Sequence, residues 1–142
     1  MRYWDASGVV SLCARDGHYE RASPLLTEDQ EIVTWWATPV ECVSAFARLR
    51  RMGEMSGGKE LSATERLHAL SEGWTEIQPG DTLRRLAEQM VFRHGLKAMD
   101  ALQLAAAVDW GGGSGRGLEF VSFDEQLSRA AALEGFRARP ST

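Results

Sequence analysis

Residues 1–12 read MRYWDASGVVSL: an apolar aromatic run, a carboxylate at Asp5, a hydroxyl at Ser7, then more apolar sequence. Residues 2–5 have the composition of a short strand. From Ser7 onward, Val9, Val10, Leu12 and Cys13 are spaced as on one side of a helix, which Gly17 ends. A strand passing directly into a helix starts an α/β fold, and the chain repeats that order to its end.

SPLLTEDQ (23–30) predicts a short helix with Pro24 near its first turn, and EIVTWW (31–36) the next strand. TPVECVSAFARLRRMGEM (38–55) predicts a helix with Thr38 as N-cap, Pro39 at the first helical position and apolar residues at 42, 43, 46 and 49. SATERLHALSEGW (62–74) predicts another, capped by Ser62 with Glu65 three residues on, followed by a strand in WTEIQ (74–78). GDTLRRLAEQMVFRHG (80–95) and AMDALQLAAAVDW (98–110) are helical, and WGGGSGRG (110–117) is a loop. LEFVSF (118–123), DEQLSRAAALEG (124–135) and FRAR (136–139) give strand, helix and a final short strand. Strands alternating with helices predict a parallel sheet covered on both faces, in one domain spanning 1–142.

Composition narrows the function. The chain has 142 residues, 44% of them apolar, which supports one real core. Its net charge of -4 argues against coating nucleic acid by bulk electrostatics. No stretch approaches the ~20 apolar residues of a membrane span and no secretory signal opens the chain, so a cytoplasmic protein is expected. Cys13 and Cys42 lie in apolar helical stretches and read as reduced, buried thiols. His18, His68 and His94 show no helical pairing and read as surface or partly buried residues. Trp35 and Trp36, adjacent on a strand, point to opposite faces and are expected to be buried under helices. WGGGSGRG lacks the GK[ST] ending of a phosphate loop.

Four carboxylates share a topological position. Asp5 ends the first strand, Glu41 begins the helix after IVTWW, Asp100 lies near the start of an apolar helix, and Asp124 follows FVSF. In an open parallel sheet, strand ends and the helix starts after them gather on one edge, where ligands bind. Each acid also has a structural reading. Asp124 is a good N-cap, Glu41 completes a capping box with Thr38, and Asp5 can cap the next helix or leave that to Ser7. Asp100 resists such a role, because an unpaired carboxylate in a helix apolar almost all round costs several kcal/mol unless a cation such as Lys97 or a metal meets it.

YWDASGVV, TPVECVSAFARL, LKAMDALQLAAAV and FVSFDEQLSRAAALEGF together resemble the PIN domain, specifically the VapC-like toxin ribonucleases of toxin–antitoxin pairs, over essentially the whole chain. The resemblance implies a three-layer α/β/α sandwich with a central, mainly parallel sheet of four or five strands. It implies an Mg²⁺- or Mn²⁺-dependent endoribonuclease. Asp5 and Asp100 would be the main metal ligands, Glu41 and Asp124 would complete the cluster, and Ser7 would be a polar neighbour of it. It also implies an RNA substrate, a VapB-like antitoxin and a homodimer. Two departures are Lys97, where related sequences often carry Arg, and Met99, often smaller.

Oxygen ligands suit the chemistry. Phosphodiester hydrolysis needs an activated water and support for charge on the phosphate and leaving oxygen, which hard divalent cations supply. Because acids repel RNA, phosphate contacts are expected from Arg48, two helical turns after Glu41, and from Arg93 and Lys97, which precede Asp100. Two other functions compete. DASGV resembles the opening of a haloacid-dehalogenase-type phosphatase but carries Ser7 where the second Asp belongs, and a receiver-like, non-catalytic α/β binding module would need a Lys after a later strand that FVSFDEQ does not offer.

Overall fold

A computed structural model describes residues 1–141. Five strands, β1 (Arg2–Trp4), β2 (Ile32–Trp35), β3 (Thr75–Ile77), β4 (Glu119–Val121) and β5 (Arg137–Arg139), form one sheet in the order β3-β2-β1-β4-β5. All pairings are parallel, with Tyr3 opposite Val33 on one side and Phe120 on the other. The helices are α1 (Ala6–Ala14), α2 (Tyr19–Glu28), α3 (Thr38–Arg51), α4 (Gly57–Ser71), α5 (Asp81–His94), α6 (Ala98–Trp110) and α7 (Glu125–Leu133).

Side-chain alternation along β1 builds the layers. Tyr3, with Val33, Trp35 and Phe120, faces a core closed by α5, α6 and α7, and its ring stacks on Phe120 at 5.2 Å. Trp4, with Ile32 and Val121, faces the opposite core, closed by α1 to α4. Both rings are fully buried, as expected for a central strand covered on both faces. The three-layer α/β/α sandwich expected from the sequence is the architecture observed.

Gly8 sets how closely α1 approaches the sheet. A Cβ there would lie 3.0 Å from the Trp4 ring and 3.3 Å from the Val121 carbonyl oxygen, so only glycine lets the first turn of α1 settle against β1 and β4. Asp5 is thereby held at the sheet edge.

Several local expectations are corrected. α2 begins at Tyr19, so Pro24 stands inside the helix, not near its start, and tertiary contacts through buried Ala22 and Leu25 sustain the helix around it. α3 is preceded by Ala37, and Thr38 is its first residue; the Thr38 hydroxyl is buried 2.8 Å from that of Thr34 instead of capping the helix. The Thr38–Glu41 capping box therefore does not form. α4 is capped by Ser56, which accepts the Lys59 N–H, while Ser62 lies within the helix and donates to the Gly58 carbonyl. Trp35 is buried, but Trp36 is 53% exposed because β2 ends before it and a turn carries it outward. Cys13 and Cys42 are free and buried, as read from the sequence.

Candidate active site

Asp5 leaves the carboxyl end of β1 in extended backbone and caps α1, its Oδ1 accepting the Gly8 N–H at 2.9 Å. The Ser7 hydroxyl donates to the same oxygen at 2.7 Å, and the Ser122 hydroxyl donates to Oδ2 at 2.6 Å. Its backbone N–H reaches the Val121 carbonyl, so β1 and β4 fix the residue together. The two serines are linked onward: Ser7 accepts the Phe123 N–H and Ser122 the Asp124 N–H. These donors lower the Asp5 pKa, but burial outweighs them and, with repulsion from Asp124, pushes it up to about 6.

Glu41 stands in the first turn of α3, where Gln103 of α6 donates to its Oε1 at 2.9 Å. Burial, together with the charges of Asp5 and Asp100, pushes its carboxyl up to about 7. Asp100, in the first turn of α6, is raised by partial burial and by Asp124, against the pull of Lys97. Asp124 caps α7, its Oδ1 accepting the Leu127 N–H at 2.8 Å.

These four carboxylates, from four separate segments, line one cleft of about 560 Å³ at the carboxyl edge of the sheet. Capping and cleft roles are not exclusive. Asp5 and Asp124 do both, since a helix start at a strand's carboxyl end is also where such a cleft forms. Ser7 lines the cleft too.

The basic candidates divide. Arg48 lines the cleft, and Lys97 immediately precedes α6 near Asp100. Arg93 does not line it; both of its short contacts go to the Glu134 carboxylate, at 2.9 and 2.7 Å, where the ends of α5 and α7 meet. The exposed Arg93 side chain is spent on that pair.

Three further residues belong to the site. Gln103 is 1% exposed; besides Glu41 it contacts Thr38 through Nε2 and accepts the Tyr3 hydroxyl at 2.6 Å through Oε1. Its signal was a lone polar residue inside ALQLAAAV. Ser122 gave only a small polar residue at a strand end. Asp16, a fifth acid on the cleft wall, comes from a loop whose ARDG sequence reads as an ordinary turn.

The donor chemistry fits a hard divalent cation: the cleft is walled by carboxylate, hydroxyl and amide oxygens, with neither His nor Cys. Its spacing is open. Among the described residues, no three His, Cys, Asp or Glu side chains stand close enough to hold one ion as they are. Burial first, and the neighbouring charges second, raise the pKa of Asp5, Glu41 and Asp100 alike.

No family model matches the chain, and no curated protein matches it. Solved structures do. VapC20 of Mycobacterium tuberculosis, a sarcin–ricin loop cleaving toxin, superposes with a TM-score of 0.66 at 18% identity, over 92% of this chain and 95% of that one. FitAcB from Neisseria gonorrhoeae gives 0.65 at 20% identity, over 96% of this chain and 97% of that one. A toxin–antitoxin complex from Klebsiella pneumoniae gives 0.58 at 16% identity, over 87% of each chain. With five parallel strands in one sheet and an acidic cleft at their carboxyl edge, the chain has the fold of the VapC-like PIN domains.

Proposed function

We propose that the chain is an Mg²⁺- or Mn²⁺-dependent endoribonuclease, the toxin of a toxin–antitoxin pair. The observation that carries this reading is the convergence of Asp5, Glu41, Asp100 and Asp124 in one cleft, on a fold shared with a toxin that cleaves the sarcin–ricin loop.

Asp5 and Asp100 would be the principal ligands of the cation, with Glu41 and Asp124 completing the set. A bound divalent cation supplies an acidified water and offsets charge on the phosphate. Ser7, Gly8 and Ser122 hold both Asp5 oxygens in one orientation, so that carboxylate requires little reordering. Gln103 holds Glu41 by one oxygen and leaves the other for a cation or a proton. Burial and the charges of Asp5 and Asp100 raise the Glu41 carboxyl to about 7, so a cation held there would favour its ionised form. Arg48 and Lys97 meet substrate phosphates; Arg93, held by Glu134, is left out.

The partners follow the same reading. A VapB-like antitoxin is proposed by analogy with the Klebsiella complex. A homodimer is proposed on the exposed apolar residues Trp36, Val40 and Val43 at the start of α3, where covering apolar area is favourable. No helix among the described residues is long and apolar enough to cross a membrane, and we place the protein in the cytoplasm, where its RNA substrate is found. The phosphatase alternative loses ground at Ser7, whose hydroxyl is committed to Asp5 and to the Phe123 N–H.

Incubation with structured RNA and Mn²⁺ tests the proposal, with EDTA and the Asp5→Asn and Asp100→Asn variants as controls. Metal-dependent cleavage lost in both variants is the expected outcome. No cleavage of any RNA, with no rise in melting temperature on adding Mn²⁺, would favour the binding-module reading instead.

A further inference from the structure

Beside the acidic cleft lies a second hollow of about 580 Å³, walled by His18, Arg21, Phe123 and Arg129 among others. The two share a rim. Ser122 of the second donates to Asp5 of the first at 2.6 Å, and Asp16 of the first accepts the backbone N–H of His18 of the second at 2.9 Å. Phe123 lines the second hollow, and the next residue, Asp124, lines the first. Sheet order explains the adjacency: β1 and β4 are neighbours, so the segments leaving their carboxyl ends lie side by side.

The chemistry of the second hollow differs from that of the first. The His18 and Phe123 rings stack with centroids 4.5 Å apart and planes within 14°, and the Arg21 guanidinium lies 5.6 Å from the Phe123 centroid. His18 and Arg21 are both exposed. Among the described residues Arg21 makes no ion pair. The Arg129 side chain is 78% exposed; its Nε donates to the Glu125 backbone carbonyl at 3.4 Å, and its ion pair with the Glu125 carboxylate, also on the wall, spans 3.9 Å, a contact that water largely screens. The hollow thus offers an aromatic platform and two available cations. That combination seats unpaired nucleotides, whose bases stack while their phosphates meet the cations. An acidic cleft repels a polyanion, so a strand crossing it needs cations alongside.

We propose that this groove seats the single-stranded RNA flanking the scissile phosphate, with a base on the outward face of His18 and phosphates at Arg21 and Arg129. The inference rests on the ribonuclease reading and extends it to the strand's path. All three side chains are exposed, and His18, although it is the N-cap residue of α2, makes no capping hydrogen bond through its side chain, so their removal is expected to spare the fold.

Fluorescence anisotropy with a labelled single-stranded oligoribonucleotide of about ten residues tests it, every protein carrying Asp100→Asn so that the strand stays intact. His18→Ala, Arg21→Ala and Arg129→Ala combined should weaken binding at least about tenfold and make the log–log salt dependence shallower by about 1.4, which is about 0.7 for each of two phosphate contacts. Arg85→Ala, at an exposed position of α5 and a control for charge alone, should change neither. Unaltered affinity and slope in the triple variant overturn the proposal, as does failure of the unsubstituted groove to bind the strand. A triple variant that keeps RNA affinity but releases a co-purifying protein also overturns it, and makes the groove a protein site. Cleavage by the wild type in Mn²⁺ is scored separately. Its absence defeats the ribonuclease reading, whereas cleavage with unaltered binding in the triple variant defeats only the groove.

Discussion

Gln103 and Glu41, 62 residues apart in the chain, meet across α6 and α3 with Nε2 2.9 Å from Oε1. The same amide accepts the hydroxyl of fully buried Tyr3, so its orientation is set from the core. A carboxylate of the cleft is thereby tied to the central strand through one side chain.

Gln103→Leu should remove that tie. The buried Tyr3 hydroxyl would lose its acceptor and Glu41 its donor, costing about 1–3 kcal/mol in urea unfolding. Mn²⁺ titration should show weaker binding than in the wild type. Unchanged stability together with unchanged affinity would remove Gln103 from the account.

Without divalent cations, stability should fall as pH rises from about 4 to about 7. The sign follows from the raised pKa values of Asp5, from 3.8 to about 6, and Glu41, from 4.5 to about 7. In this window the unfolded chain has already released protons that the folded chain retains, so each further rise in pH favours unfolding. Buried Asp5 accounts for about 3 kcal/mol, at 1.36 kcal/mol per pKa unit, and partly exposed Glu41 for less than its shift implies. Denaturant unfolding in EDTA between pH 4.5 and pH 8 checks this, and a flat or rising profile would contradict it.

Asp100→Asn should raise the melting temperature in EDTA at neutral pH while abolishing cleavage, because it removes a charge that burial and Asp124 disfavour. Asp5→Asn should likewise relieve a buried charge and keep an acceptor for the Gly8 N–H. Asp5→Ala should instead destabilise by about 1 kcal/mol or more, through the lost cap of α1. A lower melting temperature for Asp100→Asn would recast that residue as a structural anchor.

Gly8→Ala should cost about 1–3 kcal/mol and reduce cleavage, since the added Cβ crowds the Trp4 ring and the Val121 carbonyl and moves the turn that holds Asp5. Thermal unfolding and RNA cleavage measured on the same preparation test both effects.

Much of this was legible in the residues. The alternation of strands and helices predicts the parallel sheet, and the acids at element junctions predict one shared edge, because topology alone brings such junctions together. Whether Asp5 and Asp124 cap helices or line a cleft could not be separated in sequence, since one carboxylate does both. Thr38 looked like a cap but turned inward to Thr34, a tertiary contact without a local signature. Arg93 looked like a phosphate ligand because only the meeting of α5 and α7 shows Glu134 beside it. Gln103 and Ser122 act through partners 62 and 117 residues distant, beyond the reach of local spacing.

The central claim is that the four-carboxylate cleft uses a divalent cation to cut RNA. Cleavage of a structured RNA in Mn²⁺, followed by gel for the wild type, Asp5→Asn and Asp100→Asn with and without EDTA, tests it most directly. Cleavage by the wild type alone, lost in EDTA, is the expected result; cleavage that survives EDTA or persists in both variants would contradict it.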